Sequence, residues 1–308
     1  MGGVIATMTN FTSDSKIAFV GGGTVGRTLA HALHNQGYPV IAAASRTFTS
    51  AQAVAAEAPG CIAYGDIGEA ASAADFVFIT TTDDAIEEVS SKIAWRTFQG
   101  VAHCSGAASL DVLKEAQDQG AAIGAFHPLQ TFSSVDEALK RVPGSTFAIE
   151  GDDEIRAYLR ELALALGGNP IVLRPEDKPL YHASVVMMGG LLTATAGAVA
   201  GMWRHFGIDR DEAIRALAPI IIGGGGALQS AGVPGALAGP YVRGDVGTVS
   251  KHLNALRASA PELLPVYCSM ALAGLDLVLE KGDVPAEIRS EIRAMLEDES
   301  CESRRQSS

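Results

Sequence analysis

A short apolar run that feeds into a glycine-rich turn and then a helix leaves few folds open, and the start of this chain has that form. Lys16-Ile17-Ala18-Phe19-Val20 leads into Gly21-Gly22-Gly23-Thr24-Val25-Gly26, and Val25, Leu29, Ala32 and Leu33 then recur at helical spacing up to a stop at Gly37. In a G-x-G-x-x-G turn between strand and helix each glycine has its own task. Gly21 permits the tight turn, Gly23 lets the backbone approach a pyrophosphate, and Gly26 lets the helix pack closely on the strand. The amides freed at the helix start, around Thr24 and Val25, face the phosphates, and the helix dipole favours their negative charge. The motif alone is weak. Its position between a strand pattern and a helix pattern is what raises a bound dinucleotide above a turn that merely reverses the chain.

The end of the next strand, Pro39–Ala44, selects the dinucleotide. NAD sites place an acidic residue there to hold the ribose 2'-hydroxyl, whereas NADP sites use an Arg or small polar groups for the 2'-phosphate. No carboxylate occurs between Asp14 and Glu57. Arg46, flanked by Ser45 and Thr47, supplies a planar fork and two hydroxyls for phosphate oxygens, so the expected cofactor is NADP.

Further along, apolar runs of strand length alternate with helical segments, which predicts a doubly wound parallel sheet of Rossmann type, an α/β fold. The runs end in Thr80-Thr81-Thr82-Asp83-Asp84, in His103-Cys104-Ser105-Gly106 and in His127-Pro128-Leu129-Gln130. In such sheets ligands sit at the carboxyl ends of strands, so these segments converge on one site. Thr80, Thr81, Thr82, His103 and Ser105 are read as cofactor or loop-positioning residues. Asp152 caps a helix to Leu166, and Pro170–Leu173 reads as a short strand leading out of the sheet. Beyond Lys178 strand signals stop. Helices are expected over 178–205, 210–222, 245–258 after an Asp245 cap, 261–281 and 285–297, with Gly223–Gly226 as a break. The expected organisation is a loose leader over 1–14, a Rossmann domain over 15–174, an all-α domain over 175–297 and a disordered tail over 298–308.

Composition excludes several classes. The 308 residues carry a formal net charge of −12 with no basic stripe, so nucleic acid is not an expected partner. Cys61, Cys104, Cys268 and Cys301 form no C-x-x-C pair, which argues against a zinc site or a disulfide framework and fits a reducing, cytoplasmic setting. His31 and His34 lie three apart on the first helix without an obvious third ligand, so no metal is expected. The first residues lack the form of a secretory signal. Ala183–Met202 is long and uncharged enough to raise a membrane helix, but its Gly, Ala and Thr content reads as a helix buried in protein, with no membrane partner.

Together, the glycine turn, Thr80-Thr81-Thr82-Asp83-Asp84-Ala85-Ile86, His103-Cys104-Ser105-Gly106, Phe126-His127-Pro128-Leu129-Gln130, Lys178-Pro179-Leu180-Tyr181-His182-Ala183 and Gly244-Asp245 carry a resemblance over nearly the whole chain. They resemble bacterial proteins with a Rossmann-like domain followed by an all-helical domain of formerly unassigned function, described as NADP- or deazaflavin-linked oxidoreductase-like and related to pyrroline-carboxylate and ketopantoate reductases. The resemblance implies NADP as cofactor, a small-molecule substrate and a homodimer formed through the helical domain. The chain departs from the family where an Asn is expected about two turns after Tyr181-His182, since Gly189-Gly190 stands there.

Hydride transfer to C=O or C=N needs a proton donor beside the acceptor. Lys178 and His182 are at i and i+4 and share a helix face. Related reductases place a Lys on the corresponding helix, so the resemblance makes Lys178 the first candidate donor and His182 the second. His127, before a proline at a strand end, is a third, with hydrogen bonding to a neighbouring loop as its alternative role. The leading reading is an NADPH-dependent reductase of a small keto or imino compound. The alternatives are a non-catalytic NADP-binding sensor or interaction protein, and a deazaflavin-linked NADP reductase.

Overall fold

The computed structural model describes residues 11–281 and 284–306. Contacts divide the chain into two compact units at Met187/Met188.

In the first unit the elements alternate as the apolar pattern requires. In order they are β1 (Ile17–Val20), α1 (Thr24–Asn35), β2 (Val40–Ala44), α2 (Phe48–Ala55), β3 (Ile62–Tyr64), α3 (Ile67–Ser72), β4 (Phe76–Ile79), α4 (Ile86–Ser91) and β5 (Gly100–His103). Then follow α5 (Lys114–Asp118), β6 (Ala122–Leu129), α6 (Val135–Arg141), β7 (Thr146–Gly151), α7 (Asp153–Ala165), β8 (Asn169–Val172) and α8 (Lys178–Val186). The strands form one sheet in the order β3-β2-β1-β4-β5-β6-β7-β8. Strand order therefore reverses at β1 and β4, and the crevice at this switch point opens at their carboxyl ends. Alternate residues of the central strands feed two cores. Ile17, Phe19, Phe76 and Phe78 point to one face, and Ala18, Val20, Val77 and Ile79 to the other.

The α/β expectation holds, with two differences. β7 runs antiparallel to β6, and β8 does not lead out of the sheet but pairs in parallel with β7. The β6–β7 connection, residues 130–145, contains α6 and delivers the chain antiparallel to β6. The leader expected over 1–14 falls mostly on residues outside those described, 1–10, but Phe11 is buried, edge-on to Phe76 and tilted against Tyr158.

The second unit is helical: α9 (Leu192–Gly201), α10 (Arg210–Gly235), α11 (Pro240–Arg243), α12 (Val246–Ser259), α13 (Leu264–Lys281) and α14 (Ala286–Gln306). Asp245 caps α12 by accepting from the Thr248 amide at 2.9 Å. Val249, Leu253, Leu264, Cys268, Leu275, Ile292 and Leu296 form its core. Gly223–Gly226 do not break the chain but lie within α10, whose non-helical residues are Gly232 and Val233. Glycine tolerates helical angles at a cost of about 1 kcal/mol each against alanine, so a run of four weakens a helix without forbidding it. The single helix expected over 178–205 is divided instead, because Met187–Leu191 adopt a π-helical turn between α8 and α9. At the end of the chain α14 continues to Gln306 through the segment expected as an irregular tail; 307–308 are outside the described residues.

The unit boundary falls later than residue 174 because α8 packs on the sheet. Nor is the apolar segment at Ala183–Met202 buried by its own chain. Among the described residues three helical stretches are long and apolar enough to cross a membrane by length and composition, and in the richest windows of Pro175–Phe206 and Arg210–Arg243 only 6% and 0% is buried.

Phe11→Ala is expected to lower stability by about 3 to 5 kcal/mol, the usual cost of deleting a buried aromatic ring. Urea unfolding of the variant beside the wild-type protein checks this, and an unchanged midpoint would mean that Phe11 is not part of the core.

Candidate active site

Sterics at the switch point build the glycine turn. Gly21 has φ +124°, and a Cβ there would lie 2.6 Å from the Thr80 carbonyl carbon; a Cβ on Gly26 would lie 2.6 Å from the Gly21 oxygen. Both positions therefore exclude any side chain. Gly23 is different, with nothing within 4 Å of its missing Cβ. The turn is packed where it meets the sheet and open where a phosphate would approach.

Hydrogen bonds hold this shape. Thr80 Oγ1 donates to the Gly21 carbonyl at 2.9 Å, and the Gly22 amide donates to Ser45 Oγ at 3.1 Å. Helix α1 starts at Gly23 with no side-chain cap, and its first helical amide bond is from Arg27 to Gly23. The amides of Thr24 and Val25 thus have no helical acceptor and are left for an anion. Thr47 caps α2 by accepting from the Ser50 amide. Arg46 is exposed and, among the described residues, has no hydrogen-bond or ion-pair partner. Thr81 Oγ1 is buried without a partner, and the exposed Thr82 opens a single 3-10 turn. A free helix start, an open Gly23 and an unpaired Arg46 fit a dinucleotide with an extra phosphate. Thr80, Ser45 and Thr47 have their hydroxyls engaged within the protein, so they shape the turn and the Arg46 loop.

The next strand ends bring a cluster of polar side chains together. His103 on β5 pairs with Ala125 on β6, which pairs with Glu150 on β7. Paired residues project to the same face, and His127 follows two residues after Ala125 on that face. Helix α8 covers it. Lys178 forms an ion pair with Glu150, each side chain only 3% exposed. Tyr181 Oη and His127 Nδ1 share a hydrogen bond of 2.8 Å, and the His182 ring stands edge-on to His127 with centroids 6.3 Å apart. A Cβ on Gly106 would lie 2.7 Å from His127 Cε1 and 2.7 Å from His182 Cδ2, so the loop after β5 approaches both rings only because that residue is glycine.

Burial sets the charge of the imidazoles. His103 is fully buried, its Nδ1 accepts from the Ser105 amide at 3.2 Å, and Ser105 Oγ accepts from the amides of Ala107 and Ala108. Both residues therefore hold the loop, and His103 has no surface to offer a cofactor. Desolvation, then the Lys178 charge, pushes the His103 pKa down to about 3, against a backbone hydrogen bond to Ser109 that favours the protonated ring. His127 is pushed down to about 4 by burial, His182 and Lys178, with Asp83 opposing. Burial raises the Tyr181 hydroxyl to about 12. At neutral pH the Tyr181–His127 pair is uncharged.

Of the three expected proton donors, His127 and His182 meet in this cluster. Lys178 does not face outward beside His182 but turns into the sheet, because Glu150 offers it a buried counter-charge. Glu150, Tyr181 and Gly106 had no role in the sequence reading. A carboxylate inside the apolar run Phe147-Ala148-Ile149-Glu150 was a signal for the first, since a buried charge needs a partner. His31 pairs with Glu57 at 3.3 Å, and no metal-holding group of His, Cys, Asp and Glu occurs among the described residues.

Two expectations follow. Gly106→Ala should displace the His127 and His182 rings and lower turnover while leaving cofactor affinity unchanged; equal turnover would show that the rings are free to move. Because His103 and His127 have folded pKa values below the ordinary 6.5, the unfolded chain binds more protons below that pH. Stability should therefore fall as pH drops from about 6.5 and level off between about 4 and 3. Urea unfolding across pH checks this, and His127→Gln should flatten the slope.

Comparisons with known proteins agree with this fold. Residues 16–103 match the family described as NADP oxidoreductase coenzyme F420-dependent, and residues 145–273 match the Domain of unknown function (DUF2520). No curated protein matches the chain. Among solved structures, a protein from Thermotoga maritima is similar at 21% identity and TM-score 0.69, over 85% of this chain and 99% of that one. An imine reductase from Pseudomonas sp. is similar at 22% identity and TM-score 0.58, over 92% and 99%. A 1-pyrroline-5-carboxylate reductase from Streptococcus pyogenes is similar at 14% identity and TM-score 0.57, over 94% and 100%. At these identities what is shared is the fold.

Proposed function

Because the chain joins an NADP-oxidoreductase domain to a DUF2520 domain, we propose that it is an NADPH-dependent reductase of a small keto or imino compound. The observation that carries this reading is the uncharged Tyr181–His127 pair at the carboxyl end of β6, in the same sheet whose β1 ends in the glycine turn. Bound NADPH would supply the hydride. Gly21, Gly23, Thr24, Val25 and Gly26 would receive the pyrophosphate, Arg46 the 2'-phosphate, and Thr81 and Thr82 the approach to the ring end. With its neutral ring protonated on Nδ1, His127 donates to the Tyr181 oxygen and leaves the hydroxyl proton free for the substrate nitrogen or oxygen. Tyr181 then recovers a proton from His127 Nδ1 as His127 Nε2 takes one up from water, so that the ring passes from one neutral tautomer to the other. His182, against His127, helps close the site. This assignment moves the donor from Lys178 to Tyr181. Reduction of C=N is favoured over keto acids by Asp83, a carboxylate near His127 that suits a cationic iminium, and by Lys178 being committed to Glu150.

NADPH oxidation against cyclic imines, keto acids and a deazaflavin tests the reading, and turnover of the deazaflavin alone would replace it with the deazaflavin-linked one. Tyr181→Phe should lower turnover by about 100-fold or more, the scale of a lost general acid. Unaltered turnover would remove Tyr181 from the chemistry. Arg46→Ala should weaken NADPH by roughly 10- to 100-fold, the loss of a charge-assisted phosphate contact, and NADH far less. Equal loss for both would overturn the NADP assignment.

A homodimer through the helical unit accounts for its exposed apolar face, which includes Ile220, Ile222 and Met270. In a cytoplasmic protein that face has a second copy to bury it. Light scattering without detergent should give a dimer, and Ile222→Glu should give a monomer. Recovery of the wild-type chain only in the membrane fraction would contradict both the dimer and the location.

A further inference from the structure

An ion pair buried on both sides is a costly way to hold a helix. Removing the two charges from water costs several kcal/mol each, and an apolar pair of similar volume is often as stable or more so. Lys178 and Glu150 are both buried to that degree, and Glu150 Oε2 has no hydrogen-bond partner beyond the pair. Stability alone does not explain such a pair, but its location does. Glu150 projects from the row of Ala125, and His127 is one step further along the same face of β6. Two strand residues span about 6.6 Å. The partners of these two positions on α8 are Lys178 and Tyr181, three residues apart, which advances a helix by about 4.5 Å. Side-chain reach makes up the remainder, so the helix docks at two points in one register.

We propose that the Glu150–Lys178 ion pair is the positioning device of the active site, fixing the first turn of α8 on β7 so that Tyr181, one turn later, meets His127. Lys178 is then a positioning residue, and its proton stays where it is. The pair has a second consequence. As a charge held in place by its counter-ion, Lys178 opposes protonation of His127 and His103. The groups facing His127 are Tyr181, His182 and Lys178 from α8, His103 from β5, and Asp83 from the turn after β4; only Asp83 favours its protonation.

This inference rests on the reductase reading for its kinetic arm and on geometry for its spectroscopic arm. The full-length protein would be compared with Lys178→Met/Glu150→Leu, which keeps the volume and removes both charges, and with Glu150→Asp, which keeps the charge and shortens the arm. Thermal unfolding and NADPH titration establish that each variant folds and binds cofactor. Histidine NMR then follows the His127 ring across pH without any substrate. In the double variant the His127 midpoint is expected to rise from about 4 towards its ordinary value, and kcat to fall roughly 10- to 100-fold with KM nearly unchanged, a part of what a positioned acid contributes. Glu150→Asp should keep the titration and lose turnover. A double variant with wild-type turnover and an unmoved His127 midpoint would overturn the proposal, as would Glu150→Asp with full activity. Should the double variant fail to fold, Glu150→Asp alone decides. If the wild-type protein binds no NADPH, the reductase reading fails, while the His127 titration still judges the pair.

Discussion

The contact between the glycine turn and Thr80 is the constraint from which the first unit follows. β1 and β4 are neighbours in the sheet, and at their ends the backbone of Gly21 lies so close to Thr80 that no Cβ fits between them. That approach brings the start of α1 onto the switch point with unpaired amides, and the Thr80 hydroxyl closes it by a bond to the Gly21 carbonyl. Everything that makes the crevice a site for an anion comes from this contact. A larger residue at Gly21 or Gly26 would push α1 away and bury those amides against nothing.

Much of this was legible in the residues. The apolar runs, their alternation with helical spacing and the stops at glycine place the strands along the chain, and their parallel pairing, as far as β6. The carboxylate-free interval around Arg46 is likewise visible in the letters and is matched by an exposed, unpaired side chain. The antiparallel β7 was not legible, because Phe147-Ala148-Ile149 is apolar in either direction and strand direction is decided by how the connection packs. Nor was the helical state of Gly223–Gly226. Propensity marks glycine as a breaker, but the flanking helix formers carry α10 through, and the actual kink falls at Gly232, where φ is positive.

At the site the limits have a common cause. Spacing puts Lys178 and His182 on one helix face, but it says nothing about which way that face looks. The answer depends on Glu150, a residue on another strand, and pairings across a sheet are not written in local periodicity. Tyr181 stood between the two candidates and was passed over, because an i,i+4 pair draws attention to its ends. Gly106 was equally silent. Its significance lies in what a side chain there would strike, the rings of His127 and His182, and only the folded chain brings those together.

For the proposed reaction, electrostatics favours the tyrosine over the lysine as proton donor. For Lys178 to give up its proton, Glu150 would be left as a lone carboxylate in a buried place, where an unpaired charge is penalised by several kcal/mol. That penalty would be added to the barrier on every turnover. Tyr181 carries no such burden, because its partner is a neutral ring that can pass on its Nδ1 proton while Nε2 takes one up from water, ending as the other neutral tautomer. The transient tyrosinate is the costly state in this scheme, since burial already raises the Tyr181 pKa to about 12. A cation held near His127 lowers that cost without itself reacting. In the proposed reaction two tasks thus fall to neighbouring turns of α8: Lys178 keeps a fixed charge and a fixed register, and Tyr181 moves the proton.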